Sequence, residues 1–455
     1  MMRVSQAAQA LGAPFHGNDV EFGAVGTDSR TLGHGDLFVA LKGERFDGHA
    51  FIAEAATAGA AAALVEHADD AVALPQIVVE NTTRALGRLG NFWRRRFKVA
   101  LVALTGSSGK TTVKEMLAAM LRAAAGDDAV LATRGNLNNH VGVPLTLLEL
   151  RGEHRYAVIE MGMNHAGEIS YLTRLAEPDV ALIINAGAAH LEYLGSIEAI
   201  ARAKGEIFEG LKDGGVAVFS ADDRFAPLWR RFADGRRQLE FGIEAKSAVT
   251  ATYRLRQFDS EIVLKTPLGE VAATVPVPGL HNVRNALAAS AAASALEVPT
   301  ATIATGLARF RGSKGRLQRK RGINGAVVID DSYNANPDSV RAAVDVLAAL
   351  PGKKILVLGD MGELGDEAAV LHARIGDYAR AAGLDELFTL GGLSAHAART
   401  FGAAARPFMQ IRELLAALMP SLAPQTTLLV KGSRFMHMER VVEALTDAAE
   451  DTHAA

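Results

Sequence analysis

The residues whose types and spacing best suit chemistry follow an apolar run that starts at residue 99. Val99 to Leu104 has only apolar side chains, as a parallel strand buried on both faces would, and it leads into Gly106-Ser107-Ser108-Gly109-Lys110-Thr111-Thr112. Glycines at a strand–helix turn allow backbone N–H groups to face an anion, and the helix start adds about half a positive charge. Lys110 can reach the β- and γ-phosphates, and the Thr111 hydroxyl can hold magnesium. We therefore predict a nucleotide phosphate site here, with an ordinary glycine-rich turn as the alternative.

Polar residues also end other predicted strands of this region. Glu160 ends the apolar run 157–160, and Asn185 ends the run 180–185, with His190 in the loop beyond it. Ligands of open α/β sheets bind at the carboxyl ends of the strands, and a carboxylate is a suitable hard ligand for magnesium. We predict functional roles for Glu160 and His190, although a lone histidine or glutamate can also be structural.

Two further segments carry side-chain amides. Residues 133–144 include Asn138 and Asn139 and are predicted to contact the substrate, with a plain polar turn as the alternative. Asn282 and Asn285 are one helical turn apart and could face a base edge together.

The elements that must position these residues alternate between strand and helix. The alternation over 98–312 predicts a mostly parallel sheet, and it recurs over 313–455, whose predicted strands end in charged or glycine-rich sequence. Residues 1–97 contain shorter segments, including a helical patch predicted at 51–65. We expect an α/β protein with three domains: a small N-terminal α/β domain (1–97), a central ATPase domain with a phosphate loop (98–312) and a C-terminal Rossmann-like, doubly wound domain (313–455). The basic segment 310–322 is predicted to be a mobile linker, in which Arg316 is a candidate phosphate contact.

Composition limits the function classes. The chain has 455 residues, 49% hydrophobic and 22% charged, which is typical of a soluble globular protein with two to four domains. A net charge of −3 gives no electrostatic case for nucleic acid or a membrane surface, and the absence of cysteine excludes disulfides and thiolate chemistry. No signal peptide or spanning segment is visible at the sequence level, so we expect a cytoplasmic protein, and a monomer.

Lys204 occupies an unusual position in a predicted helix over 196–211. The apolar residues of this helix recur three and four apart, and Lys204 falls within their stripe. Burial would lower the pKa of its amine, and a neutral amine can react with carbon dioxide to form a carbamate. A lysine that extends to the helix edge is the alternative.

Over essentially its whole length, the chain resembles the Mur ligases, the ATP-dependent amide-forming enzymes of peptidoglycan synthesis. Thr105–Thr112 is similar to the short phosphate loop of that family, in which Leu104 replaces the first glycine of the longer Walker pattern. The segments Asp331–Pro337 and Gly359–Gly365, together with Thr27–Arg30 and Lys42–Gly48, resemble the members that add D-alanyl-D-alanine to a UDP-N-acetylmuramoyl-tripeptide. Members that add a diamino acid usually carry Asp-Asn-Pro-Arg in the last domain, and this chain does not.

The resemblance implies a set of site residues. It implies ATP and two magnesium ions as cofactors, with a carbamylated Lys204, and the UDP-linked tripeptide and D-alanyl-D-alanine as substrates. The implied catalytic residues are Lys110, His190 and Lys204, and the implied metal ligands are Thr111, Glu160, His190 and Lys204. The implied nucleotide-binding residues are Gly106–Thr112, Asn282, Arg316 and Asp330 or Asp331. The implied substrate-binding residues are Ser29, Arg30, Lys42, Arg45, Asn138, Asn139, Tyr333 and Asn334.

Two other functions stay open from the sequence. One is a Mur ligase that adds a diamino acid, and the other is a regulatory ATPase that uses hydrolysis to move its domains. A GTPase would be expected to carry Asn-Lys-x-Asp, and the chain contains no Asn-Lys pair.

Overall fold

Parallel β-sheets flanked by helices make up most of the computed structural model, which describes residues 1–43, 46–189 and 191–446. The α/β class predicted from the sequence is confirmed. Within the described residues, no helix is long and apolar enough to cross a membrane.

The N-terminal part contains a five-stranded sheet in the order β2-β7-β6-β5-β4 and a small pair of strands, β1 and β3. Its strands are β1 Met2–Arg3, β2 Phe15–His16, β3 Glu21–Phe22, β4 Val25–Gly26, β5 Leu37–Val39, β6 Ala62–Val65 and β7 Gln76–Val78. Its helices are α1 Val4–Leu11, α2 Ile52–Thr57 and α3 Thr82–Arg94.

The central part is built on a parallel six-stranded sheet in the order β13-β12-β11-β8-β10-β9, followed by an antiparallel sheet of β14, β15 and β16. The strands are β8 Ala100–Thr105, β9 Val130–Ala132, β10 Tyr156–Glu160, β11 Val180–Ile183, β12 Val216–Ser220, β13 Arg237–Phe241, β14 Thr250–Leu255, β15 Ser260–Thr266 and β16 Gly269–Val275. The helices are α4 Lys110–Ala125, α5 Gly142–Leu148, α6 Glu168–Ala176, α7 Leu191–Leu194, α8 Ile197–Gly205, α9 Ala226–Phe232, α10 Leu280–Ala295 and α11 Thr300–Arg309.

The C-terminal part is a doubly wound sheet in the order β17-β18-β22-β19-β20-β21, with only β17 antiparallel to its neighbour. One face packs on α12, α13 and α14, and the other on α15 and α16. The strands are β17 Gln318–Arg321, β18 Val327–Asp331, β19 Lys353–Gly359, β20 Glu386–Leu390, β21 Ala405–Phe408 and β22 Thr426–Lys431. The helices are α12 Pro337–Ala348, α13 Ala368–Ala381, α14 Ala395–Phe401, α15 Ile411–Leu418 and α16 Glu439–Leu445.

The hydrophobic core runs without a break from the N-terminal part into the central part. One cluster of buried apolar side chains joins Val4 and Leu37 to Leu101 on one face of the central sheet and to Trp229 on α9. Helix α3 contributes by packing on α5 and α6. The predicted domain limits at 97/98 and 312/313 stay predictions.

Several predicted elements differ from the observed ones. The helical patch predicted at 51–65 is wrong in its second half, because residues 62–65 form β6 between β5 and β7. Residues 318–321 of the predicted mobile linker form strand β17, which pairs with β18. The helix predicted over 196–211 is α-helical only to Gly205 and then continues as a 3₁₀ turn.

Candidate functional site

The phosphate loop, residues 106–112, connects β8 to α4 at the carboxyl edge of the central sheet. Gly109 has a φ of 83°, and a Cβ built on it would lie 2.4 Å from Asn285 Oδ1, so this position accepts only glycine. Lys110 Nζ donates a hydrogen bond to the Gly106 carbonyl at 2.8 Å. The loop is therefore closed on itself, with its lysine held over the turn.

Asn185 shapes this loop from the neighbouring strand. Its Oδ1 accepts hydrogen bonds from the backbone N–H groups of Ser107 and Ser108, each at 3.0 Å. Its Nδ2 donates to the Ser108 carbonyl at 3.1 Å. The sequence predicts Asn185 at a strand end without assigning it a role, although polar residues at strand ends are the signal that points to it.

Glu160 ends β10, which lies beside β8 in the sheet. The side chain is buried, and its Oε1 accepts a hydrogen bond from Asn138 Nδ2 at 2.9 Å. Its Oε2 is also buried and has no hydrogen-bond partner among the described residues. One carboxylate oxygen is thus held by the protein, while the other is left for a group that the protein does not supply.

Arg316 crosses from the C-terminal part to the phosphate loop. Its Nη2 donates to the Thr111 hydroxyl at 3.1 Å, and its guanidinium carbon lies 4.5 Å from the centre of the Tyr333 ring. Burial lowers the pKa of Lys110, the nearby Glu160 carboxylate opposes that shift, and Arg316 adds to it. Two cations therefore stand together where the two parts of the chain meet.

The larger of two cavities, about 950 Å³, opens on one side of the phosphate loop. The central part lines it with Lys110, Glu160 and Asn138, and the C-terminal part lines it with Tyr333 and Arg434. The predicted substrate residues Asn139 and Asn334 also line it. The Oδ1 of Asn139 accepts hydrogen bonds from the backbone N–H groups of residues 141 and 142, so this side chain also stabilises the loop itself.

The smaller cavity, about 470 Å³, opens on the other side of the loop. Asn282 and Asn285 line it and share one helix face, since Asn285 Nδ2 donates to Asn282 Oδ1 at 3.0 Å. His281 lies beside them, and burial together with the cations Lys431 and Arg284 lowers its pKa to about 4. The residues that line both cavities are Ser108, Gly109, Arg316, Ser339 and Lys431.

The two candidate ribose residues face different surroundings. Asp331 lines the smaller cavity and pairs with Lys431 Nζ at 2.5 Å. Burial raises the pKa of Asp331, and Lys431 opposes that shift. Asp330 lines neither cavity and instead pairs with Lys320 at 3.2 Å. Of the two, only Asp331 is placed to contact a bound nucleotide. Lys431 also ends a strand, β22, and is a residue of this site that is not among the predicted ones.

Lys204 is buried on α8, with 1% of its surface exposed. Burial, together with the nearby Lys110 ammonium, lowers its pKa well below the ordinary value of a lysine. The structure gives it no hydrogen bond or ion pair within the described part of the chain. The inward position predicted from the apolar stripe is therefore observed.

Three predicted substrate residues of the N-terminal part, Ser29, Arg30 and Lys42, line neither cavity. Ser29 donates to Glu54 at 3.4 Å, Arg30 pairs with Asp28 at 2.7 Å, and Lys42 forms an isolated backbone bridge with Asp47. Arg45 and His190, also predicted from the sequence, lie outside the described residues.

Three family models match the chain and together cover most of it. They are described as the Mur ligase family catalytic domain (residues 21–94), the Mur ligase middle domain (104–293) and the Mur ligase glutamate ligase domain (315–434). Among curated relatives, the UDP-N-acetylmuramoyl-tripeptide–D-alanyl-D-alanine ligase of Escherichia coli is 44% identical over 98% of both chains. The ligase of that name from Bacillus subtilis is 37% identical over 93% of both chains.

Solved structures show the same likeness. MurF from Acinetobacter baumannii has a TM-score of 0.92 and 40% identity, covering 98% of this chain and 99% of that one. MurF from Thermotoga maritima in complex with ADP has a TM-score of 0.82 and 28% identity, covering 92% and 96%. The chain belongs to the Mur ligase family, as its sequence resemblance predicted.

Proposed function

We propose that this chain is an ATP-dependent ligase that joins D-alanyl-D-alanine to the tripeptide of UDP-N-acetylmuramoyl-tripeptide. The observation that carries the proposal is the position of the phosphate loop between two cavities that share Arg316 and Lys431. A nucleotide in the smaller cavity would direct its terminal phosphate into the larger one, where a carboxylate and an amine can meet. The names of the curated relatives support the choice of substrates.

The reaction begins when a carboxylate oxygen of the tripeptide attacks the γ-phosphorus of ATP. The bond from that phosphorus to the bridging oxygen breaks, and ADP leaves with the electron pair. Phosphoryl transfer depends mainly on positioning and charge neutralisation, which Lys110 and Arg316 supply from two sides. The amine of the dipeptide then attacks the acyl carbon of the acyl phosphate, phosphate leaves, and the nitrogen loses a proton to give the amide.

The donor atoms at the loop suit magnesium. The Glu160 Oε2 atom is buried without a protein partner in the described part of the chain, and the Thr111 hydroxyl lies on the loop itself. Within that same part, no group of three or more histidine or acidic side chains could hold a metal alone. Magnesium usually binds through one or two protein oxygens and the phosphates of its nucleotide. Thr111 and Glu160 would hold it, and it would neutralise phosphate charge.

We propose that Lys204 carries a carbamate, which would supply an oxygen ligand for a second magnesium ion, with His190 as a further candidate ligand. Burial lowers the pKa of its amine and so favours the neutral form, which can add to carbon dioxide, forming an N–C bond and releasing a proton. The test is a ¹³C NMR spectrum of the enzyme in ¹³C-bicarbonate, in which we expect a carbamate signal that Lys204→Ala lacks. A spectrum without that signal, in an active enzyme, would end the idea.

The N-terminal part is proposed to bind the UDP moiety through Ser29, Arg30, Lys42 and Arg45. This assignment rests on the sequence resemblance, since Ser29, Arg30 and Lys42 line neither of the two cavities and Arg45 lies outside the described residues. The cytoplasmic location and the monomeric state also stay predictions.

The experiment that tests the function is ADP formation with each substrate pair in turn. We expect turnover only when the UDP-linked tripeptide and D-alanyl-D-alanine are both present. Turnover with a free diamino acid in place of the dipeptide would refute the choice of amine. ATP hydrolysis at full rate without either substrate would instead indicate a regulatory ATPase.

A further inference from the structure

Lys114 is a buried lysine that the proposed reaction does not use. It lies on α4, one turn after Lys110, and 1% of its surface is exposed. Its Nζ donates to the Thr133 carbonyl at 2.5 Å and pairs with Glu115 at 2.7 Å. A buried ammonium is unfavourable unless its donors are used, and a methionine could fill similar volume without that penalty. Because burying this ammonium is costly, we expect its contact with Thr133 to have a function.

Thr133 connects Lys114 to the carboxylate of the site. It follows β9, and its side chain is buried beside β10. Its hydroxyl accepts a hydrogen bond from the backbone N–H of Glu160 at 2.9 Å. Its own backbone N–H donates to the Val158 carbonyl at 3.0 Å. Thr133 thus holds the end of β10 at the residue that carries the carboxylate.

These contacts fix Glu160 at two points. Thr133 holds its backbone, and Asn138 Nδ2 holds its Oε1 at 2.9 Å. The remaining oxygen, Oε2, is buried and has no hydrogen-bond partner among the residues that the structure describes. Because a metal accepts its ligands within a narrow range of positions, groups that orient a ligand affect metal affinity strongly.

We propose that Thr133 and Lys114 are positioning residues for Glu160, in which Lys114 fixes the Thr133 backbone and Thr133 fixes that of Glu160. These contacts connect α4, which follows the phosphate loop, to the Glu160 carboxylate. The position of the metal ligand is thereby fixed relative to the residues that bind the nucleotide. This inference rests on the proposed function, since it takes Glu160 as a magnesium ligand.

The test compares ADP binding to the full-length enzyme by isothermal titration calorimetry with and without Mg²⁺. The measured quantity is the factor by which Mg²⁺ tightens ADP binding. Thr133→Val keeps the shape of the side chain but removes the acceptor, and we expect this factor to fall by about tenfold. Thr133→Ser keeps the acceptor and should stay within about twofold of the wild type, since the hydrogen bond is retained.

Thr146 offers a matched control, because it is equally buried on α5 and, among the described residues, its hydroxyl bonds to the Gly142 carbonyl alone. Thr146→Val should leave the Mg²⁺ factor unchanged. An equal loss in Thr146→Val and Thr133→Val would show a general effect of burying valine and would overturn the inference. So would a Thr133→Val enzyme that keeps the wild-type factor.

Lys114→Met tests the second half of the connection. We expect it to lower the factor in the same direction as Thr133→Val. The double variant should lose little more than Thr133→Val alone, because both changes act through one route. Losses that add fully would refute that route.

Glu160→Gln separates this inference from the function on which it rests. If Glu160→Gln leaves the Mg²⁺ factor unchanged, the metal assignment itself is wrong and the inference falls with it. If Glu160→Gln lowers the factor while Thr133→Val does not, only the positioning role is refuted.

Discussion

Asn185 gives the sharpest test of how the phosphate loop is built, because its side chain bonds to two loop N–H groups and one loop carbonyl. Asn185→Ala removes all three side-chain contacts and leaves Ser108 N–H without this acceptor, while Ser107 N–H keeps the backbone carbonyl of residue 185 at 3.2 Å. A hydrogen bond contributes a net of about 0.5–1.5 kcal/mol, and the open cavity lets water replace part of what is lost. We estimate a total of about 2 kcal/mol, which corresponds to roughly thirtyfold weaker nucleotide binding.

The assay is calorimetric titration of ADP with Mg²⁺ into the wild type and Asn185→Ala. Asn91→Ala is the matched control, since Asn91 also donates to a backbone carbonyl, that of Leu175, but joins α3 to the central part and lines neither cavity. We expect the control to bind ADP normally. Binding by Asn185→Ala that is unchanged or tighter would show that a phosphate takes these N–H groups from Asn185, and would refute the reasoning.

Three further predictions concern the site and its stability. Lys110→Ala should lower kcat by at least about a thousandfold, because the transferred phosphoryl group loses its nearest lysine, and a near-normal single-turnover rate would contradict this. Ser29→Ala should raise KM for the UDP-tripeptide and leave KM for ATP nearly unchanged in steady-state kinetics. A change in KM for ATP instead would refute UDP binding by the N-terminal part. The folded pKa of His281 is about 4, below the ordinary 6.5. Between pH 6.5 and 4 the unfolded chain therefore binds a proton at this residue that the folded chain does not. The free energy of unfolding is highest above pH 6.5 and falls as the pH falls toward 4. In urea unfolding, the stability lost between pH 7 and 4.5 should be about 2 kcal/mol smaller in His281→Asn than in the wild type, and equal losses would contradict the prediction.

Much of the fold could be predicted because strands of a parallel sheet are buried on both faces. The apolar runs predicted as strands at 157–160 and 180–185 largely coincide with β10 and β11 for this reason. Strand β17 could not be predicted from Gln318–Arg321, since its polar side chains give no apolar signal and only backbone pairing with β18 defines it. The alanines at 60–63 favour a helix by propensity, but two flanking strands impose β6 there.

The site was predictable where a motif fixes both residue and backbone, and less so elsewhere. The phosphate loop identifies Lys110 and Thr111 directly. Asp330 and Asp331 could not be separated, because successive residues of a strand point to opposite faces and the sequence does not tell which face meets the cavity. The hydrogen bonds of Asn185 and Thr133 join residues far apart in the chain, and only the folded structure brings them together.

The unbroken core between the N-terminal and central parts has a consequence for synthesis on the ribosome. Val4 and Leu37 share a buried cluster with α3, and α3 packs on α5 and α6, so the early elements cannot complete their packing until α6 has been made. At about 5–20 residues per second, the interval between residue 97 and residue 176 lasts roughly 4 to 16 s. During that time the nascent chain exposes apolar surface. The C-terminal sheet does not cover this surface, because it packs into separate clusters of its own.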